Sequence, residues 1–85
     1  MKHAGNTALD TVEELLIEIR AYTSLTERKR GSFYCKAAGF AHFHEDAAGM
    51  FADLKVDGEW KRFRVTTRSE QKQFLSQLSS ALRGL

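Results

Sequence analysis

The chain has 85 residues, a net charge of +2 and a single cysteine, Cys35. This length supports one hydrophobic core, so we expect one domain spanning residues 1–85, with residues 1–6 disordered. Cys35 has no partner for an intramolecular disulfide, which predicts a reducing, cytoplasmic location. No stretch of about 18 apolar residues is present, which excludes a transmembrane helix and predicts that no membrane is a partner.

The first predicted element is a helix over residues 8–23. Its apolar side chains recur at helical spacing from Leu9 to Tyr22, which places them on one face. The segment that follows, residues 23–31, has no such period and is predicted to be a loop. We interpret its basic run at residues 28–30 as solvated.

Two strands are predicted next, over residues 32–36 and 40–45. Each is followed by the tripeptide Ala-Ala-Gly, at residues 37–39 and 47–49. We expect both tripeptides to form three-residue hairpin loops with glycine in the left-handed region.

The clearest strand pair covers residues 50–56 and 59–66, joined by Asp57-Gly58. Both turn residues tolerate a positive φ, which favours a two-residue type I′ hairpin in which Val56 faces Glu59. This register divides the side chains between the two faces of the sheet. The core face receives Met50, Ala52, Leu54, Val56, Phe63 and Val65. The opposite face receives Phe51, Asp53, Lys55, Trp60, Arg62 and Arg64.

The same register predicts two contacts on the second face. Asp53 falls opposite Arg62, as in an ion pair, and Lys55 falls opposite Trp60, as in a cation–π contact.

A second helix, residues 68–83, follows a Thr67 to Glu70 capping box. The elements together predict a two-layer α+β fold with a four-stranded antiparallel meander and the N- and C-terminal helices on one face, in the order αββββα.

Two helices cover only one face of such a sheet, so large side chains on the other face have no predicted cover. Five residues of that face are candidate binding residues: Phe51, Lys55, Trp60, Arg62 and Arg64. Aromatic rings interleaved with cations are typical of platforms for single-stranded nucleic acid. Two other interpretations stay open, namely an interface for another protein or a weak homodimer, and plain packing of the basic stems over the rings.

His42 and His44 are candidate metal ligands. Side chains at i and i+2 of a strand point the same way, about 6.6 Å apart, so two imidazoles can converge on one divalent ion. Cys35, His3 or a carboxylate would complete the set, and an open position holding water would make the site hydrolytic. The alternative is a purely structural use of both histidines. Regular three-residue loops place them under the helices, whereas a bulge at either glycine places them on the opposite face.

No phosphate-binding glycine loop, catalytic-triad elbow or dinucleotide fingerprint is present, so an enzyme is the less favoured class and no organic cofactor is expected. The leading hypothesis is a non-enzymatic interaction module that uses the open sheet face. Nucleic-acid binding through that face and a divalent-metal site at the His-x-His strand are the alternatives.

Residues 32–63, SFYCKAAGFAHFHEDAAGMFADLKVDGEWKRF, resemble the strand region of small bacterial MmcQ/YjbR-like proteins, in which a "gk.fa" strand is followed by a hairpin. The resemblance implies a CyaY-like α+β fold and DNA binding, and it implies no site residues. This chain is shorter than those proteins, and the likeness rests on no diagnostic motif.

Overall fold

Six antiparallel strands and three helices form the fold in the computed structural model, which describes residues 1–85. The helices are α1 (Asn6–Asp10), α2 (Glu13–Arg20) and α3 (Arg68–Arg83). The strands are β1 (Lys2–His3), β2 (Leu25–Lys29), β3 (Ser32–Cys35), β4 (Ala38–Asp46), β5 (Gly49–Val56) and β6 (Glu59–Arg64). None of the helices is long and apolar enough to cross a membrane.

The strands follow one another across the sheet in the order β2-β3-β4-β5-β6, and β1 pairs with β4. Strand β4 has nine residues. Its first half pairs with β3 and its second half with β1. The α+β class and the antiparallel sheet are thus confirmed, but the four-stranded αββββα arrangement is too simple, because the sequence pattern predicts neither β1 nor β2.

Strand β2 occupies the segment that the sequence predicts as a loop. Its sequence, LTERK, is mostly polar, so no apolar alternation marks it as a strand. It pairs with β3 along its length, and Glu27 forms an ion pair with Arg20 of α2. Backbone pairing with β3 and an ion pair with the preceding helix therefore stabilise this strand.

The N-terminal residues also differ from their predicted disorder. Lys2 pairs with Glu45 and His3 pairs with His44, so both are part of the sheet. A strand of two residues has no periodicity that a sequence could reveal.

The predicted helix over residues 8–23 is divided into α1 and α2 at Thr11 and Val12. Thr11 Oγ1 donates to the carbonyl of Ala8 at 2.6 Å. The amides of Thr11 and Val12 bond to carbonyls three residues earlier. Two consecutive β-branched residues, one of which competes for a carbonyl, tighten the chain and end the first helix. The apolar spacing continues across the break, so the sequence does not reveal it.

Helix α3 spans the predicted residues, and its capping box is confirmed. The Thr67 hydroxyl accepts from the Glu70 amide at 3.1 Å, and a Glu70 carboxylate oxygen accepts from the Thr67 amide at 2.9 Å. Phe74 and Leu78 face the core and are fully buried. Local sequence therefore determines both the start and the buried face of this helix.

The β5–β6 hairpin is also confirmed. Val56 pairs with Glu59, and Asp57 and Gly58 have φ values of +52° and +82°. Positive φ at both positions is the requirement of a type I′ turn. Four residues of the predicted core face are buried: Met50, Ala52, Leu54 and Val65.

The turn between β3 and β4 is shorter than predicted. Cys35 pairs with Ala38, which leaves Lys36 and Ala37 as the turn, with φ values of +52° and +68°. Further along β4 the register shifts, so that Phe40 is the extra residue of a bulge. Both the turn and the bulge differ from the three-residue loop that the sequence predicts.

The turn between β4 and β5 is likewise reduced to two residues, 47–48, because Asp46 pairs with Gly49. Gly49 has a φ of +133°, and a Cβ atom at this position would collide with the Thr66 hydroxyl. Glycine is therefore needed here as the first residue of β5, where the chain passes close to Thr66, and not as a loop residue.

The core lies between the helices and one face of the sheet, and it contains 16 buried apolar residues. The helices and the break between α1 and α2 contribute Leu9, Val12, Leu15, Leu16, Ile19, Phe74 and Leu78. Cys35 belongs to the same core and is a free thiol. The other face of the sheet has no helix over it, and we call it the open face.

Candidate metal centre on the open face

His42 and His44 lie on the open face. The two-residue turn at positions 47–48 decides this, because it pairs His44 with Phe51 and His42 with Asp53. A three-residue loop would shift the register by one residue and turn both histidines toward the core. Of the two placements that the sequence leaves open, the structure selects the one beside Phe51.

Strand β1 brings a third imidazole to the same place. The ring centroid of His3 is 4.7 Å from that of His44 and 5.7 Å from that of His42. The rings of His42 and His44 are 4.9 Å apart. Three imidazoles from two strands therefore form one group, which we call the His cluster.

The nitrogen atoms of the His cluster are close enough to share one ion. One ring nitrogen from each residue lies within 4.8 Å of the other two. His42 Nδ1 and His44 Nε2 are 3.0 Å apart. A tetrahedral Zn²⁺ with Zn–N bonds of about 2.0–2.1 Å holds its ligand atoms about 3.4 Å apart, a separation within the range of the cluster. Cys35 is in the core on the other side of the sheet and cannot join it.

A carboxylate lies at the edge of the His cluster. Asp53 Oδ2 is 3.1 Å from His44 Nε2. Arg62 donates to both Asp53 oxygens, from Nε to Oδ1 at 2.8 Å and from Nη2 to Oδ2 at 3.0 Å, which confirms the predicted ion pair. Burial acts to raise the pKa of Asp53, but the hydrogen bond and charge of Arg62 outweigh it and hold the pKa below its ordinary value. Asp53 is therefore an anion at neutral pH.

The electrostatics of the cluster favour a neutral His42. Burial lowers the pKa of His42, and the charge that His44 carries when protonated lowers it further, while Asp53 acts in the opposite direction. The net change is downward, so His42 is deprotonated at neutral pH. Neutral imidazole is the form that binds metal ions.

The indole of Trp60 lies against the cluster. Its centroid is 4.6 Å from that of His42, and a Cβ atom built on Gly39 would lie 3.6 Å from the ring. Lys55 Nζ is 5.2 Å from the indole centroid, which confirms the predicted cation–π contact. Trp60 is nevertheless 44% exposed, so one part of the ring packs on the sheet and the rest faces solvent.

The candidate binding residues share the open face, as their register predicts: Phe51, Lys55, Trp60, Arg62 and Arg64. Both arginines, however, have carboxylate partners. Arg62 pairs with Asp53, and Arg64 donates to Glu70 at 3.0 Å and to the Ala48 carbonyl at 3.0 Å. Fewer unpaired cationic side chains are therefore available to bind a phosphate group than the sequence suggests.

Within the basic run at residues 28–30, Arg28 and Lys29 are exposed, as predicted, whereas Arg30 is half-buried. Arg30 forms ion pairs with Asp10 and Glu13, which tie the end of β2 to the helices. The guanidinium of Arg28 lies 4.4 Å from the ring centroid of Tyr34. These contacts are structural, and they lie outside the His cluster.

The sequence pattern predicts His42 and His44 as ligands and His3 as one of several residues that could complete the set. It predicts the Asp53–Arg62 pair but not the contact of Asp53 with His44. The missing signal was turn length, since a two-residue turn at 47–48 is what places Asp53 opposite His42.

Comparison of the chain with protein-family models, with curated proteins and with solved structures finds no match. The resemblance to MmcQ/YjbR-like proteins, and the DNA binding that it implies, stay predictions. The functional interpretation therefore rests on the geometry of the open face alone.

Proposed function

We propose that this domain binds a divalent transition-metal ion, Zn²⁺ by preference, through His3, His42 and His44. The observation that carries the proposal is the mutual approach of three imidazole nitrogens within 4.8 Å. Two of these residues alternate along one strand, which is a common pattern. The third arrives from a separate strand, whose pairing with β4 places its ring beside the other two.

The chemistry of the cluster supports a transition metal over calcium or magnesium. Imidazole nitrogen suits zinc, copper, nickel and iron, whereas calcium and magnesium take oxygen ligands. The cluster has no thiolate, because Cys35 lies in the core. Zn²⁺ fits three nitrogen ligands in a tetrahedral arrangement and needs no redox partner.

The state of the ring nitrogens supports the same proposal. Burial lowers the pKa of His42 most, and the charges of the neighbouring imidazoles, when protonated, lower it further. A neutral His42 offers a lone pair to an ion. A bound ion would take the place of the contacts that His44 Nε2 makes with His42 Nδ1 and with Asp53 Oδ2.

Metal titration tests the proposal directly. Calorimetry of the chain with Zn²⁺ at pH 7.5 should show one ion per chain, and the ring signals of all three histidines should shift in NMR spectra. Outer-shell residues of metal sites typically contribute 10–100-fold to affinity, so His42→Ala and His44→Ala should each weaken binding at least about tenfold. Cys35→Ser is the matched control, because it removes the only thiol and should leave the affinity unchanged.

Two results would contradict the proposal. The first is the absence of binding heat and of ring-signal shifts at low micromolar Zn²⁺. The second is binding that survives both histidine substitutions and disappears in Cys35→Ser, which would place the ion at the thiol.

The interaction-module, weak-homodimer and nucleic-acid hypotheses concern the same face and stay predictions. The exposed part of the Trp60 ring supports them, since an exposed aromatic offers a stacking or contact surface. The ion pairs of Arg62 and Arg64 weigh against nucleic acid, because a phosphate would have to compete with Asp53 and Glu70.

A further inference from the structure

We infer that Asp53 is the fourth ligand of the ion, and that the bound ion is a structural clasp that fastens strand β1 to the sheet. This inference rests on the proposed metal binding. It adds a fourth protein ligand, which completes the coordination shell, and it assigns a structural role to the ion.

The contacts of one atom carry the assignment. His44 Nε2 is 3.0 Å from His42 Nδ1 and 3.1 Å from Asp53 Oδ2. Edges of a tetrahedron around Zn²⁺ are about 3.3–3.4 Å long for nitrogen and oxygen ligands. An ion bound to His44 Nε2 therefore has a second nitrogen and a carboxylate oxygen that each lie at nearly the required separation from that atom.

The surroundings of Asp53 favour its role as a metal ligand. Its side chain is 12% exposed, and Arg62 holds Oδ1 through Nε at 2.8 Å. That hydrogen bond can persist while Oδ2 turns from Arg62 Nη2 to the ion. Arg62 then becomes the outer-shell partner that orients the ligating carboxylate, a common arrangement around metal sites.

Four protein ligands have a chemical consequence. Structural zinc sites have four protein ligands, whereas catalytic sites keep one position for water. A site made of three histidines and Asp53 has no position for a reactive water. The closed shell agrees with the non-enzymatic class that the sequence favours.

The clasp follows from where His3 lies. Strand β1 has two residues, and it is held by its pairing to β4, by the Ala4 amide donating to the Phe43 carbonyl at 3.1 Å, and by the Gly5 amide donating to Glu45 at 2.8 Å. These contacts are near the surface and few. An ion shared by His3 and β4 adds a cross-link that stabilises the docked strand, and docking in turn strengthens metal binding.

Cobalt substitution tests the fourth ligand. Co²⁺ bound by the full chain should give the visible absorption of a four-coordinate ion, with no change between pH 6 and 9, because no metal-bound water is present to ionise. Asp53→Asn should lower the Co²⁺ affinity at least about tenfold and make the spectrum pH-dependent. Asp53→Asn is nearly isosteric, and far-UV circular dichroism verifies that it folds.

Arg62→Ala separates the ligand from the outer-shell partner that orients it. It removes the guanidinium but keeps the carboxylate, so it should weaken Co²⁺ binding about tenfold while the spectrum stays that of a four-coordinate ion and does not change with pH. If Asp53→Asn loses only as much affinity as Arg62→Ala and also keeps the pH-independent spectrum, Asp53 acts through the ion pair alone and is not a ligand.

Hydrogen exchange of the Ala4 amide tests the clasp. Exchange should slow at least about tenfold when the wild-type chain binds Zn²⁺, and it should slow much less in His3→Ala. Unchanged exchange on metal binding overturns the clasp.

The outcomes separate the two proposals. A wild-type chain that binds no Co²⁺ or Zn²⁺ overturns the proposed function and this inference with it. A wild-type chain that binds Co²⁺ while Asp53→Asn binds it equally well, with a pH-dependent spectrum in both, overturns the fourth ligand alone and indicates an open site.

Discussion

The indole of Trp60 lies 4.6 Å, centroid to centroid, from the imidazole of His42. Trp60 comes from β6 and His42 from β4, so the ring reaches back over the intervening strand to the His cluster. The only tryptophan of the chain is thereby placed against a proposed metal ligand. This contact makes metal binding visible without a label.

We predict that Co²⁺ or Cu²⁺ quenches Trp60 fluorescence, because both ions have open d shells and would bind within a few ångströms of the indole. Quenching should saturate at one ion per chain and reverse with a chelator. Trp60→Phe should lose the signal but bind the same number of ions by calorimetry. Quenching that rises linearly with metal, without saturation, would mean collision in solution and not binding.

Trp60→Ala tests how far the indole stabilises the fold. Truncation of a buried aromatic residue typically costs 3–5 kcal/mol, and Trp60 is 44% exposed. We therefore expect a loss of about 1–2 kcal/mol in urea unfolding, with the fold intact.

Phe74→Ala is the comparison for that measurement, because Phe74 is fully buried and should lose about 3–5 kcal/mol. A Trp60→Ala variant that unfolds, or that loses as much as Phe74→Ala, would show that the indole is a core residue. Any concentration-dependent sedimentation of the wild-type chain should vanish in Trp60→Ala if the chain associates through this ring.

The capping box of α3 should make stability depend on pH. The backbone hydrogen bond from Thr67 is the main cause that lowers the pKa of Glu70 from its ordinary value of 4.5, and Arg64 adds to it. A carboxyl whose pKa is lower in the folded state stabilises the fold above its unfolded pKa. That stabilisation is lost as the pH falls through the folded pKa.

Glu70→Gln should therefore flatten the fall in thermal midpoint below pH 4.5, measured against the wild-type chain in the same buffers. Thr67→Ala removes the other half of the box and should cost about 1 kcal/mol at neutral pH. If the thermal midpoint falls equally steeply below pH 4.5 in Glu70→Gln and in the wild-type chain, Glu70 is not the group that makes stability depend on pH.

Gly49→Ala should destabilise the β4–β5 hairpin by about 1–3 kcal/mol. The φ of +133° strains any residue with a side chain, and the added methyl group collides with the Thr66 hydroxyl. Gly58→Ala is the matched control, since Gly58 also has a positive φ, +82°, but has no atom within 4 Å of the added methyl.

The difference between these two variants in chemical unfolding measures the collision together with the greater backbone strain of an alanine at a φ of +133°. Gly49→Ala should also weaken metal binding, because the turn before Gly49 sets the register that faces His44 toward Asp53. Equal unfolding free energies for the two variants would show that Thr66 moves aside without cost.

Elements that are encoded by neighbouring residues could be predicted from the sequence. Helix α3 follows from the Thr67 capping box and an apolar face, and the β5–β6 hairpin follows from Asp57-Gly58, which admits the positive φ of a type I′ turn. The Asp53–Arg62 pair and the Lys55–Trp60 contact follow in turn from that register. In each case, residues close in sequence restrict the backbone strongly enough to settle the outcome.

The positions of the three histidines depend on long-range strand pairing and could not be predicted from the sequence. The turn at residues 47–48 has two residues, one fewer than the Ala-Ala-Gly sequence suggests, and this places His42 and His44 on the open face, because a register change of one residue exchanges the faces of a strand. His3 reaches them only through a two-residue strand that pairs with residues about 40 positions away. No local pattern encodes such pairing, since its free energy comes from backbone hydrogen bonds to a strand that must already be in place.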